Sequence, residues 1–274
     1  MGPQEKRRRD AKTGAEGRHH RVERRDPALA SLSGSLDCVI SCRPYDAQRE
    51  EPAMSRMKLY AHPFSNNSMR PQLSLEEKHL DYDYMKVDLF KGEHKQSEYL
   101  AINPRGQVPA LVDGDVRIYE SVAIVEYLER RYPEPSLIPS EPKAMATCYR
   151  LIGEFNQKLD PTNIFFSVKF GGKRRADLGD RVDKLLAECR IWEGYVGDGP
   201  YFTGQDFSIA DIVVLPFFGT IIDGLGLPKA DYPKLHAWYE RCKSRPSVAK
   251  LPWFEVFAGE KKNLDQHVLA KSAG

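Results

Sequence analysis

The chain is short of several features at once, and each shortage excludes a class. Its five cysteines, Cys38, Cys42, Cys148, Cys189 and Cys242, form no C-x-x-C pair. An odd, scattered set is no disulfide framework, and Cys38 and Cys42 have no neighbouring His or Cys to complete a metal site. A reducing compartment, the cytoplasm, is therefore expected, with no bound metal and no cofactor. No uninterrupted apolar run reaches the length of a bilayer span. The nearest, residues 209–227, contains Asp211, Pro216 and Asp223 and reads as a buried core helix, so no membrane partner is expected. Charge of one sign is also missing: the net charge of +2 makes no general case for nucleic acid.

What is present is a globular composition, 41% hydrophobic and 29% charged over 274 residues, enough for one or two domains with a core. Residues 1–56 hold 12 Lys/Arg against 9 Asp/Glu, and the remainder 29 against 30. The first stretch is rich in Arg, Glu, Gly, Pro and Ser and poor in aromatics, and is expected to be a disordered extension. Its K-R-R-R run at 6–9 reads as a solvated tail rather than a localisation signal. Met54 and Met57 lie just before the first strand, and the natural start is expected there. Residues 253–274 read as a C-terminal tail.

Between the tails the pattern changes once. A strand at 58–61 leads through H-P-F-S-N-N-S-M-R-P into a helix, followed by a strand at 82–88 and a short helix within 92–100. Strands at 109–112 and 116–119 flank Asp113-Gly114 as a hairpin, and a helix at 121–132 ends at Pro133. The order β-α-β-α-β-β-α is thioredoxin-like, placing an α/β domain over 57–135. Four prolines between 133 and 143 mark a linker. Beyond it, helical periodicity at 145–166, 178–196, 208–224 and 232–244 predicts an all-α domain over 144–252. Ser208-Ile209-Ala210-Asp211 has the spacing of a capping box opening the most apolar helix.

The stretch 103–121, N-P-R-G-Q-V-P-A-L-V-D-G-D-V-R-I-Y-E-S, carries the first functional signal. Val108-Pro109 admits a cis bond whose bend leaves the Val108 backbone free to pair like a strand edge. Ser121 sits where a helix N-cap is expected, with N–H groups behind it suited to a carboxylate. A strand edge beside a helix start is a site for a small acidic peptide. This stretch resembles the glutathione-binding half of glutathione S-transferases. The segment F-T-G-Q-D-F-S-I-A-D-I resembles the same family's second-domain signature, and together the matches run from about Met57 to Pro252.

The resemblance implies the glutathione transferase fold, reduced glutathione as co-substrate and a small electrophile as second substrate. It also implies a homodimer and a role in detoxification. The phi and theta classes place a catalytic serine after the first strand, which is Ser65 here, with Ser68 as the fallback and Asn66 or Asn67 as further donors. By the same resemblance His94 and Lys95 would hold the glycyl carboxylate and Gln107 would bond the tripeptide. Val108, with Pro109 forming the bend, would pair with the cysteinyl backbone. Glu120 and Ser121 would take the γ-glutamyl end. The family's redox-active members carry a Cys at this helix start, absent here, and its maleylacetoacetate isomerases carry Ser-Ser-Cys. Pro71, expected in the first turn of the first helix, departs from the family pattern. Tyr60 carries little weight as a catalytic tyrosine. Tyr149, Phe165, Phe166, Phe170 and Phe218 are candidate pocket or core aromatics. The expected reaction is conjugation of glutathione to an electrophile, with organic hydroperoxides as further substrates. The alternatives are a dehalogenase or isomerase, or a non-catalytic glutathione-binding scaffold.

Overall fold

The computed structural model of the chain describes residues 56–251 together with 268 and 269. The expected disordered extension, the Met54 start, the 6–9 basic run, Cys38 and Cys42 lie outside the described residues, as does nearly all of the C-terminal tail.

β1 (Met57–Ala61) alternates buried and half-buried side chains, placing Met57, Leu59 and Ala61 on one face. α1 (Asn66–Glu77) crosses to β2 (Tyr82–Lys86), which pairs parallel with β1. A 3₁₀ turn (Glu93–Lys95) and the short α2 (Ser97–Leu100) lead to the hairpin β3 (Ala110–Asp113) and β4 (Val116–Tyr119). β3 runs antiparallel to β1, with Leu59 opposite Leu111, and the sheet order is β2-β1-β3-β4. α3 (Ser121–Arg131) packs beside α1, sending Ile124 and Leu128 onto the sheet against Leu59, Leu75 and Leu111. On the other face Tyr99 of α2 meets Val87, Val108 and Ala110.

The second half is helical: α4 (Pro142–Glu154), α5 (Phe165–Lys169), α6 (Arg181–Tyr195), α7 (Ile209–Gly219), α8 (Pro233–Lys243) and α9 (Pro246–Ala249). Every residue of α7 is buried, and the capping box forms as the spacing predicts. Asp211 accepts from the Ser208 N–H at 3.0 Å and the Phe202 N–H at 3.1 Å, and also from Trp238 Nε1 at 2.8 Å. That carboxylate ties a helix start, a loop and α8 together.

Three expectations are corrected. The helix predicted over 145–166 breaks after Glu154 into a π-helical turn (Phe155–Leu159) and a 3₁₀ turn (Asp160–Thr162). Pro161, in the 3₁₀ turn, keeps the α-helix from running on, since it has no N–H and its ring collides with the carbonyl four residues back. Pro71 is the sixth residue of α1 rather than a first-turn residue, because the Ser65 cap starts the helix at Asn66. Ser121 is the first helical residue of α3, not its cap. Glu120 holds the cap position at φ +73°, and the Ser121 hydroxyl is engaged elsewhere.

The two halves share one core. Met69 and Leu73 of α1 and Val125 of α3 join the cluster built by α4, α6 and α7. Polar staples reinforce it: Arg245 grips Glu77 at the end of α1 through two 2.7 Å contacts. Lys78, with its side chain fully buried, pairs with Glu129 at 2.6 Å and donates to the Tyr132 and Pro135 carbonyls, at 2.8 Å each.

Candidate active site

A cleft of about 790 Å³ opens where the C-terminal end of β1, the start of α1, the 3₁₀ turn and the β4–α3 junction meet the π-helical turn of the helical half. Ser65, His94, Lys95, Gln107, Val108, Pro109, Glu120 and Ser121 all line it. Eight residues spread over 57 positions of sequence thus share one surface.

Val108-Pro109 is cis. Among the described residues no hydrogen bond takes the Val108 N–H or C=O, so both stay available to an extended ligand. The preceding Gln107 carbonyl is held by Tyr99 Oη and Asn103 Nδ2, both at 2.6 Å, which fixes the bend. Gly106 turns at φ +56°, and a Cβ there would meet the His94 carbonyl at 2.7 Å. Lys95 Nζ donates to the Gly106 carbonyl at 2.9 Å, which pins the loop while the chain of the lysine lines the cleft. His94 Nδ1 is buried and unpartnered among the described residues. A buried polar atom of that kind favours a ligand that completes it.

Ser65 caps α1: its Oγ accepts the Ser68 N–H at 3.2 Å, leaving its own proton to donate. Ser68 is buried, its Oγ accepts the His62 N–H at 3.2 Å, and it lies outside the cleft lining. Tyr60 packs against Tyr99 and is also absent from the lining. The three described cysteines, Cys148, Cys189 and Cys242, are buried, and burial pushes their thiols up, that of Cys148 to about 11. None is a ready nucleophile.

The cleft holds one cation that sequence reading missed. Arg70 is buried beneath it, donating through Nε to the Val213 carbonyl at 2.9 Å and through Nη1 to Asn67 Oδ1 at 2.7 Å and Ser121 Oγ at 3.0 Å. Its Nη2 lies 3.9 Å from Asp160 and has no hydrogen bond among the described residues. Burial lowers the guanidinium to about 10, with Asp160 opposing, so the cation persists at neutral pH. A charged side chain on the face of α1 that carries Met69 and Leu73 was the available signal.

A smaller cavity of about 220 Å³ adjoins the cleft and shares Ser65, Leu89 and Phe90 with it. Phe166 and Phe170, half exposed, complete it with His62 and Phe64. Phe165 and Phe218 are core instead, and Tyr149 is exposed away from both cavities.

Comparison with known proteins agrees with this geometry. Residues 55–130 match the glutathione S-transferase N-terminal domain and residues 174–241 its C-terminal domain. Glutathione S-transferase Z2 of Arabidopsis thaliana is 30% identical over 221 residues, covering 76% of this chain and 93% of the relative. Glutathione S-transferase 3 of Zea mays is 33% identical over 207 residues, covering 72% and 93%. A glutathione S-transferase from the Antarctic clam Laternula elliptica superposes with a TM-score of 0.69 at 30% identity, covering 79% of this chain and 99% of the other. A transferase homologue from Drosophila mojavensis, solved with bound glutathione, gives 0.68 at 27% identity, covering 76% and 98%. The chain belongs to the glutathione S-transferase family.

Proposed function

We propose that the protein conjugates reduced glutathione to small electrophiles, with Ser65 stabilising the thiolate. The observation that carries this is the convergence of a free hydroxyl donor, an unpaired strand edge and a buried cation on one cleft. A free thiol titrates near 8.5, so about two units must be removed for it to be largely ionised at neutral pH, which takes roughly 2.7 kcal/mol. One hydrogen bond to a charged sulfur supplies about 1.5–3 kcal/mol, and the N-terminus of α1 adds up to about 2.

In this reading the cysteinyl backbone pairs with Val108, and the sulfur reaches Ser65. The γ-glutamyl carboxylate meets the Ser121 hydroxyl and its N–H, with Arg70 behind them. The γ-glutamyl ammonium faces Glu120 and Asp160. Gln107 bonds the tripeptide, and His94 with Lys95 receives the glycyl carboxylate. The thiol proton leaves to solvent, and the sulfur attacks carbon as the leaving group departs with its bonding pair. With an organic hydroperoxide the same thiolate attacks the O–O bond. That gives an alcohol and a sulfenic acid, which a second glutathione converts to the disulfide and water.

The test is a calorimetric titration with glutathione, followed by turnover of a chromogenic aryl halide. Binding with thiolate formation and turnover is expected. Binding without turnover of any electrophile would make the protein a scaffold, and no heat on titration would remove glutathione altogether.

A further inference from the structure

The peptide unit between Gln107 and Val108 is trans, since the cis bonds among the described residues are Val108-Pro109 and Glu134-Pro135. In a planar trans unit the C=O and the N–H point in opposite directions. The Gln107 carbonyl and the Val108 N–H are the opposite ends of that unit. The carbonyl end is filled: Tyr99 Oη and Asn103 Nδ2 both donate to it at 2.6 Å, which uses both of its lone pairs. The amide end takes no hydrogen bond among the described residues, and Val108 lines the cleft. Holding the carbonyl inward turns the N–H outward.

Both donors are themselves held. Tyr99 is 5% exposed and Asn103 2%. The Tyr99 ring packs with Val87, Val108 and Ala110 and stands 6.1 Å from that of Tyr60. The Tyr99 carbonyl accepts the Asn103 N–H at 2.9 Å, and the Asn103 carbonyl accepts the Gly106 N–H at 2.9 Å. Asn103 Oδ1 accepts the Arg105 N–H at 3.0 Å, so the amide oxygen is occupied and the NH₂ group faces Gln107. Burial raises the Tyr99 hydroxyl to about 12, against the lowering bond from Asn103, so it stays a protonated donor across the neutral range. Donors on a peptide carbonyl also polarise the unit and strengthen its N–H.

We propose that Tyr99 and Asn103 are positioning residues for glutathione: by gripping the Gln107 carbonyl they aim the Val108 N–H into the cleft and strengthen it as a donor to the cysteinyl carbonyl of the tripeptide. The inference rests on the glutathione reading above, in which the cysteinyl backbone pairs with Val108. Tyr99 lies outside the cleft lining, so its hydroxyl acts through the peptide unit and not by touching the ligand. The grip serves affinity, and the ionisation of the sulfur stays with Ser65.

The test is a cycle between protein and ligand, read by calorimetry. One ligand is glutathione. The other is its analogue with an (E)-alkene in place of the cysteinyl-glycine peptide bond, which keeps the shape and has no carbonyl for the Val108 N–H. Tyr99→Phe deletes one hydroxyl and keeps the buried ring. It should weaken glutathione about three- to tenfold and the analogue less than about twofold. Asn103→Ala, with melting curves in parallel, should show the same selective loss and replaces the tyrosine variant should that one fail to fold. In steady state Tyr99→Phe should raise the KM for glutathione by the same factor, with kcat and the titration of the bound thiol unchanged. Equal losses for both ligands would mean that the loop has merely loosened, and would overturn the inference. So would undiminished glutathione affinity in both variants, or a wild type that binds the two ligands equally well. Each of those outcomes leaves the glutathione reading standing; a wild type that binds no glutathione removes that reading and this inference with it.

Discussion

Replacing Ser65 with alanine removes two interactions that can be measured apart. The first is the cap: Ser65 Oγ accepts the Ser68 N–H at 3.2 Å, and loss of such a cap costs about 1 kcal/mol. In a folded region of this size that lowers Tm by roughly 2–4 °C. The second belongs to the proposed mechanism, in which the Ser65 hydroxyl proton is donated to the bound thiolate. Deleting a donor to an ionised group costs about 1.5–3 kcal/mol, and one pKa unit is about 1.36 kcal/mol. The bound thiol should therefore rise by about one to two units, and kcat/KM at neutral pH should drop about 10- to 100-fold. Glutathione affinity should change little, because the carboxylate and backbone contacts remain. The assay is thiolate absorbance of the binary complex against pH, with melting curves in parallel. Ser68→Ala is the control: it deprives the His62 N–H of its acceptor, so it should lower Tm without moving the titration. An unshifted thiol in Ser65→Ala, or a shift of equal size in Ser68→Ala, would refute the assignment.

Arg70→Met should raise the KM for glutathione about tenfold or more with little change in the thiol titration, because the guanidinium bonds Ser121 and Asn67 rather than Ser65. Gly106→Ala should weaken glutathione binding and lower Tm, since the residue would need φ +56° and its Cβ would press on the His94 carbonyl; equal affinity would show that the loop does not hold the ligand. Lys78→Met should cost about 3–5 kcal/mol by urea unfolding, as it strands Glu129 inside the fold. The His62 imidazole is held below its usual range, so the unfolded chain takes up its proton first as the medium acidifies. Stability from this group is complete above about pH 6.5 and falls as pH drops below it, and His62→Phe should flatten that part of the stability–pH curve.

What the sequence disclosed followed from local chemistry. Strand alternation, the Asp113-Gly114 turn, the Ser208/Asp211 box and the Q-V-P and E-S pairs act within a few residues, so their spacing announces them. Ser121 stood out for that reason, while Ser65 and Gln107 were named through the family resemblance, and the cleft brings all three together. Arg70 was not: a charge on the face of α1 that carries Met69 and Leu73 was the one local sign, and its partner, the carbonyl of Val213, is 143 residues away. The break after Glu154 was also missed, although Pro161 stood inside the predicted helix. Residues flanking it keep an apolar period, and Phe155, Leu159, Ile164 and Phe165 are buried even though the helix between them is not continuous. Periodicity reports which side faces inward, and it survives a change of helix type. Ser121 as a cap failed differently: Glu120 takes a left-handed backbone that side chains seldom adopt, and composition gives no hint of it.

Because α1 is bolted to the helical half at its middle by Arg70 and at its end by Glu77, the serine that begins it answers to both halves. A fragment ending in the proline-rich linker would lose the Val213 carbonyl, the Arg245 grip and the cover over Met69 and Leu73. This chain's first domain is thus a module by topology but a tenant by energetics: the helix that Ser65 opens is held by helices that begin more than twenty residues after the last strand ends.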